Sequence, residues 1–209
     1  MTRPHVPAGI RRLYEVHDYR HASAILKVDF PREYNELCEV LETFRFTEQQ
    51  VRQPGGSESE IPKQFTRLLH PKGWDEKQLT AKLVVDDAEV VMSDTHKIDF
   101  IKNCVAFDLE WNSKDQTFDR DLYAFRAFFE FNKISVGVLV TRSNELQEYF
   151  ESLGEYTDRY GTVRRIAAKY GASTTHMAKL LPRIRAGRSG GCPILALGIT
   201  KRLLASDKH

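Results

Sequence analysis

The chain has 209 residues, 41% of them hydrophobic and 11% aromatic, enough to bury one sizeable core, and a single domain over 1–209 is expected. Its formal net charge of +2 conceals a split: residues 159–206 carry ten Lys and Arg and no acid, while the remainder carries 21 basic and 29 acidic residues, a net of −8, which favours a polyanionic partner over a small substrate. No run approaches the roughly 18 apolar residues of a membrane span, the N-terminus lacks the apolar h-region of a signal peptide, and Cys38, Cys104 and Cys192 suggest neither a disulfide framework nor a zinc site, so a reducing cytoplasm is the expected setting.

Spaced apolar positions predict helices over Arg11–Leu26 (Leu13, Val16, Ala24, Ile25) and Arg32–Phe44 (Leu37, Val40, Leu41, Phe44). His17 and His21 stand four apart on the first, which is zinc-ligand spacing, but no third ligand follows nearby and packing or surface roles are expected. Residues 53–60 read as a loop in which Gly55-Gly56 leads to a helix start. Glu58 and Glu60 there favour the macrodipole, and either is a candidate extra metal ligand. Ile61–Leu69 is a third helix, ended by His70-Pro71-Lys72-Gly73, so residues 1–75 are mainly helical. Leu79–Met92 predicts a hairpin with Asp86-Asp87 as its turn.

The most informative stretch follows, because Ile98–Glu110 carries Asp99, Asp108 and Glu110 in an otherwise apolar hairpin pattern. From Cys104 to Trp111 the alternation places Val105, Phe107, Leu109 and Trp111 on one face of a strand and Ala106, Asp108 and Glu110 on the other. Two acids on one face stand about 7 Å apart, an arrangement that is unfavourable unless a cation lies between them or the face is solvated. Mg²⁺ is the expected cation, since it takes few carboxylate oxygens and keeps waters for chemistry. A polar loop, Trp111–Gln116, then leads into a predicted helix over Phe118–Phe131. The nearly continuous apolar run Ile134–Val140 reads as a strand covered on both faces. Strand, helix and strand make a βαβ crossover, so residues 79–145 form a sheet with its crossover helix and the acids fall inside that sheet.

In the basic segment, Val163–Leu181 reads like a helix-turn-helix with Gly171 in the turn and Ser173 capping the second helix. Pro182 lies only nine residues past that cap, early for a recognition helix.

Asp99, the interval of eight residues, and Asp108-Leu109-Glu110 resemble the metal-dependent nuclease core of type II restriction endonucleases, in which an Asp is followed on the next strand by Asp/Glu-x-Lys/Gln/Glu. More closely, the chain is similar to the BglII/BstYI group. The same interval fits, as do Asn132–Val138, Arg185-Ala186-Gly187-Arg188 before the last strand, the Gly55-Gly56 turn and the Lys72-Gly73-Trp74 turn, over roughly residues 35 to 200. One departure is Glu110, where that group carries Gln; here the likeness is to BamHI, a neighbour in the same superfamily. A glutamate takes a proton from water and a glutamine does not.

The resemblance implies an α/β, restriction-endonuclease-like core, a central mixed β-sheet flanked by helices. It implies a Mg²⁺-dependent endonuclease acting on double-stranded DNA as a homodimer at a short palindromic site. Asp99, Asp108 and Glu110 would be the catalytic and metal-binding acids. The loop residues Asn112, Ser113 and Lys114 would contact DNA, Ser173, Thr174 and Thr175 would read base edges, and Arg188 would approach phosphate within the 159–206 segment. The competing class is a binding module, either a helix-turn-helix DNA-binding protein or an inactive nuclease relative.

Overall fold

The computed structural model describes residues 4–53, 59–78, 80–85, 88–94, 97–158 and 160–205, with the backbone alone for 80–85 and 88–94. Gly55, Gly56, Glu58 and the Asp86-Asp87 turn lie outside the described residues.

Helix α1 (Ala8–Leu13) stops where strand β1 (Tyr14–Tyr19) begins, so the helix expected over 11–26 is broken by an extended segment and resumes only as α2 (Ala22–Asp29). The cause is long-range pairing. Tyr14-Glu15-Val16-His17-Asp18-Tyr19 is rich in aromatic and β-branched residues, and it lies antiparallel to the last strand from Tyr14↔Ile199 to Tyr19↔Ile194. Tyr14 is buried and its hydroxyl donates to the Leu41 carbonyl at 2.9 Å. Arg20 and His21, both at positive φ, make the turn into α2. His17 and His21 therefore share no helix face, and His17 Nε2 instead meets Glu15 Oε1 at 2.7 Å.

Helix α3 (Pro31–Thr43) forms as its spacing predicts, with Pro31 in the first turn, where the missing N–H leaves no bond unmade, and Leu37, Val40 and Leu41 buried. After the short, capping-box helix α4 (Glu48–Arg52), α5 (Glu60–Leu69) buries Ile61, Phe65 and Leu69 on one stripe. A 3-10 turn over His70–Lys72 ends at Gly73, whose φ of 80° is the left-handed conformation a glycine enters freely. It delivers a short edge strand, β2 (Asp75–Lys77). The predicted hairpin is present as β3 (Thr80–Val85) and β4 (Ala88–Asp94), antiparallel with Val85 opposite Ala88, but it forms a two-stranded sheet of its own.

Strands β5 (Ile98–Lys102) and β6 (Val105–Glu110) pair antiparallel through a turn at Asn103, which is at positive φ. Helix α6 (Thr117–Glu130) then crosses to β7 (Val136–Arg142), parallel to β6 from Val105↔Val136 to Glu110↔Thr141. This is the expected crossover. Helix α7 (Leu146–Ser152), the hairpin β8 (Glu155–Thr157) and β9 (Val163–Arg165), helix α8 (Ile166–Lys169) and helix α9 (Met177–Arg185) lead to β10 (Ile194–Ile199), parallel to β7. The main sheet runs β1-β10-β7-β6-β5-β2, a mixed six-stranded sheet.

Helices cover both faces of this sheet. One core holds Phe65, Phe107, Trp111, Val138 and Leu197; the other holds Ala106, Phe118, Leu122, Phe125, Leu139 and Ile194. Gly137 is required for the second, since a Cβ there would lie 2.8 Å from the Phe125 ring. Its absence seats α6 close against β7.

The helix-turn-helix reading is not realised. Val163–Arg165 is a strand, α8 has four residues, and α9 starts at Met177 after His176, so Ser173 caps nothing. Pro182 sits inside α9, which continues to Arg185 despite the lost hydrogen bond because Met177, Leu180 and Ile184 bury one face of the helix. Among the described residues no helix is long and apolar enough to cross a membrane.

Candidate active site

Strand β6 emerges from the centre of the sheet with all six of its residues buried, including Asp108 at 3% and Glu110 at 8% exposure. The alternation read from the sequence holds: Val105, Phe107, Leu109 and Trp111 enter one core, and Ala106 enters the other, on the side of α6. The backbone ladder between β5 and β6 ends at Phe100↔Phe107. Beyond it the Asp99 amide donates to Asp108 Oδ1 at 2.7 Å, so a side chain takes the place of a carbonyl where the two strands part. Asp99 itself is exposed and lines a cavity of about 320 Å³ with Pro62, Thr66, His70, Glu76 and Leu109.

A fourth acid completes the wall. Asp121 lies in the second turn of α6 and is 4% exposed. Sequence reading passed over it, although the signal was present: Asp121 falls between Phe118 and Phe125 on the apolar stripe of that helix. Asp108 Oδ2, Glu110 Oε2 and Asp121 Oδ2 are all buried without a hydrogen-bond partner. Arg120, half-exposed, offers weak compensation, with Nη2 at 4.0 Å from Glu110 and Nε at 3.5 Å from Asp121.

The ionisation of the three acids follows from this crowding. Burial, reinforced by the charges of Asp99, Asp121 and Glu110, lifts the Asp108 carboxyl well above the usual range. Burial likewise raises Glu110, and it pushes Asp121 up to about 8 with the Glu110 charge adding to it. Such a set suits a hard divalent cation, which supplies the missing partner for several carboxylate oxygens at once. Among the described residues no three His, Cys, Asp or Glu side chains close into a cage by themselves. A cation here would draw its remaining ligands from water and substrate, as Mg²⁺ ordinarily does. Glu60, the other candidate ligand, is paired with Lys63 and Arg67.

The polar loop beyond β6 lies against the segment before α9. Lys114 bridges to Thr174, the Asp115 amide donates to the Ser173 carbonyl at 3.0 Å, and the Thr175 amide donates to the Ser113 carbonyl at 2.9 Å. Ser113, Lys114 and Ser173 are exposed on this paired rim. The neighbouring groups are used within the fold. The Thr174 hydroxyl donates to the Gly171 carbonyl and accepts from Arg142, Thr175 is fully buried, and Asn112 donates to the Lys169 carbonyl at 3.3 Å. Arg142, absent from the sequence reading, fastens the two segments together, with Nε donating to the carbonyls of Trp111 and Thr175 at 2.8 and 3.1 Å.

The basic segment is less free than its composition suggests. Arg164 pairs with Asp158, Lys179 and Arg183 with Asp115, and Arg202 with Glu145. Arg188 and Arg183 both bond to Asp119 on α6. Lys169 donates to the Val51 and Gln53 carbonyls and so closes the end of α4.

A mixed central sheet flanked by helices, with acids on adjoining strands where the ladder opens, defines a restriction-endonuclease-like protein. The family model described as restriction endonuclease BglII/BglIII matches residues 14–199, and the chain belongs to that family. No curated protein matches the chain. Family membership makes it a type II site-specific deoxyribonuclease, a sequence-specific DNA endonuclease with a divalent metal cofactor and double-stranded DNA as its partner.

Proposed function

We propose that the chain is one cytoplasmic endonuclease domain that requires Mg²⁺ and cuts a short palindromic DNA site as a homodimer. The observation that carries this reading is the set of buried, unpartnered carboxylate oxygens of Asp108 and Glu110 at the point where β5 and β6 separate. A two-fold site suits a two-fold protein, since one metal centre cuts one strand.

In this reading Asp99, Asp108 and the Leu109 carbonyl would hold the cation. Mg²⁺, when bound, supplies Lewis-acid polarisation of the scissile phosphate and lowers the pKa of water. Asp108 is fixed by its bond from the Asp99 amide, so its remaining oxygen has one direction available. Burial raises the proton affinity of Glu110, which suits it to take a proton from the attacking water. Ser113, Lys114 and Ser173 face the duplex from the rim. Thr174, Thr175 and Asn112 act by shaping that rim, and Arg188 meets phosphate once its bond to Asp119 exchanges.

Supercoiled plasmid incubated with the full chain and Mg²⁺ should be linearised at defined positions, and EDTA should stop the reaction. Sequencing the ends reveals the site and its symmetry. Binding without nicking under all divalent cations would instead identify an inactive relative.

A further inference from the structure

Asp121 is assigned no role by the acid pattern of β5 and β6. A carboxylate on the apolar face of a helix is usually explained by an ion pair, a cap or a set of backbone donors. None of these accounts for Asp121. It lies past the first turn of α6, its Oδ2 has no partner, and Arg120 reaches Oδ1 only at 3.5 Å from a half-exposed position while also serving Glu110. Nor is its direction accidental. Gly137 allows Phe125 to press onto β7, and that contact seats α6 against the sheet with Asp121 buried beside Glu110, close enough for the one Arg120 side chain to reach both carboxyls.

We propose that Asp121 is a metal ligand, forming with Glu110 a second divalent-cation position on the α6 side of the centre held by Asp99 and Asp108. This rests on the reading of Asp108 as a metal ligand. Two oxygens, Glu110 Oε2 and Asp121 Oδ2, are buried and unpartnered on opposing elements, so the position is built by both the strand and the crossover helix. Arg120 is the group that a cation there would displace.

The test uses the full chain and Mn²⁺ alone, with free ion counted by electron paramagnetic resonance and melting temperature followed in parallel. Wild type should bind two equivalents. Asp121→Asn, which preserves shape, should bind one, whereas Asp108→Asn should weaken the other by at least tenfold. Arg120→Ala, at an exposed position, should tighten the second equivalent severalfold, giving a readout that does not depend on Asp121→Asn folding. Two equivalents of unchanged affinity in Asp121→Asn, or no response to Arg120→Ala, would overturn the proposal while leaving the Asp108 centre intact. A single equivalent in wild type would also overturn it. No Mn²⁺ bound by wild type, or none lost in Asp108→Asn, would remove the Asp108 centre and this position together.

Discussion

The two faces of β6 are equally buried and differ in everything else. On one, Phe107 stacks with Phe65 at 5.6 Å between centroids and Trp111 packs against Phe46, Phe150 and Tyr170. On the other, Asp108 and Glu110 face Asp121 with oxygens that have no partner. The first face stabilises the strand, and the second is tolerated because the first is so well packed. Stability and chemistry are thus separated by a single Cβ alternation, and substitutions should have opposite effects on the two sides.

The largest expected effect on activity is that of Asp108→Asn. Single-turnover cleavage should fall more than a thousandfold, over roughly 4 kcal/mol of barrier, while the melting temperature in EDTA rises at alkaline pH, where the buried Asp108 carboxyl would otherwise have to ionise. A variant cutting at the wild-type rate would end the assignment. Phe107→Ala should do the reverse, destabilising the fold by about 3–5 kcal/mol in urea titration. Its cleavage rate at low temperature should stay near wild type wherever the protein remains folded. Glu110→Gln tests the acid face more finely. If Glu110 is the general base, single-turnover rates at saturating Mg²⁺ should drop about a hundredfold, near 2.7 kcal/mol; equal rates would leave it only a positioning role.

Acidity offers a further contrast. Asp108 and Glu110 are raised and Asp121 lies at about 8, so the folded chain retains protons that the unfolded chain releases near the ordinary carboxylate pKa. In EDTA, the contribution of these three acids to stability should therefore be greatest in acid and decline as pH rises from about 4 through the folded value, opposite to that of Glu15, Glu36 and Asp119, whose carboxyls are held below the usual range by their partners. Scanning calorimetry at several pH values should show this slope as the difference between wild type and Asp121→Asn, and divalent cation should flatten it. No difference between the two profiles would mean that Asp121 is compensated in the folded chain. The smallest effect is expected from Arg188→Ala, already paired with Asp119: affinity for all duplexes alike should fall roughly threefold or less. A selective loss at one base pair would make it a base-reading residue.

Much of this was legible in the sequence because local period and burial agree there. The acids on β6, the crossover helix and β7 follow from alternation and from the 3.6-residue repeat, and the structure keeps them. The failures occur where distant pairing decides. Tyr14–Tyr19 carries enough apolar spacing to resemble a helix, yet β10 offers it a ladder that no local window contains. Ser173 looked like a cap because its neighbours fit a turn, but the chain is drawn instead to Ser113 and Asp115. Asp121 was concealed in an otherwise regular apolar stripe. The net positive charge of the last quarter was correctly counted, but composition does not reveal that Asp115, Asp119, Asp158 and Glu145 neutralise much of it.

Arg142 gives the rim an unusual property. It is buried, its guanidinium lies 5.1 Å from the centre of the Tyr170 ring and 5.5 Å from that of Phe150, and burial lowers its pKa to about 10. Its donors hold the carbonyl that directly follows Glu110 and the threonines beside Ser173. A displacement at Ser173 is therefore transmitted through one rigid side chain to the end of the strand that carries the acids. With Ser173 facing the duplex as proposed, a wrong base would be penalised twice, once in affinity and again in the rate of the chemical step, so discrimination measured by cleavage should exceed discrimination measured by binding.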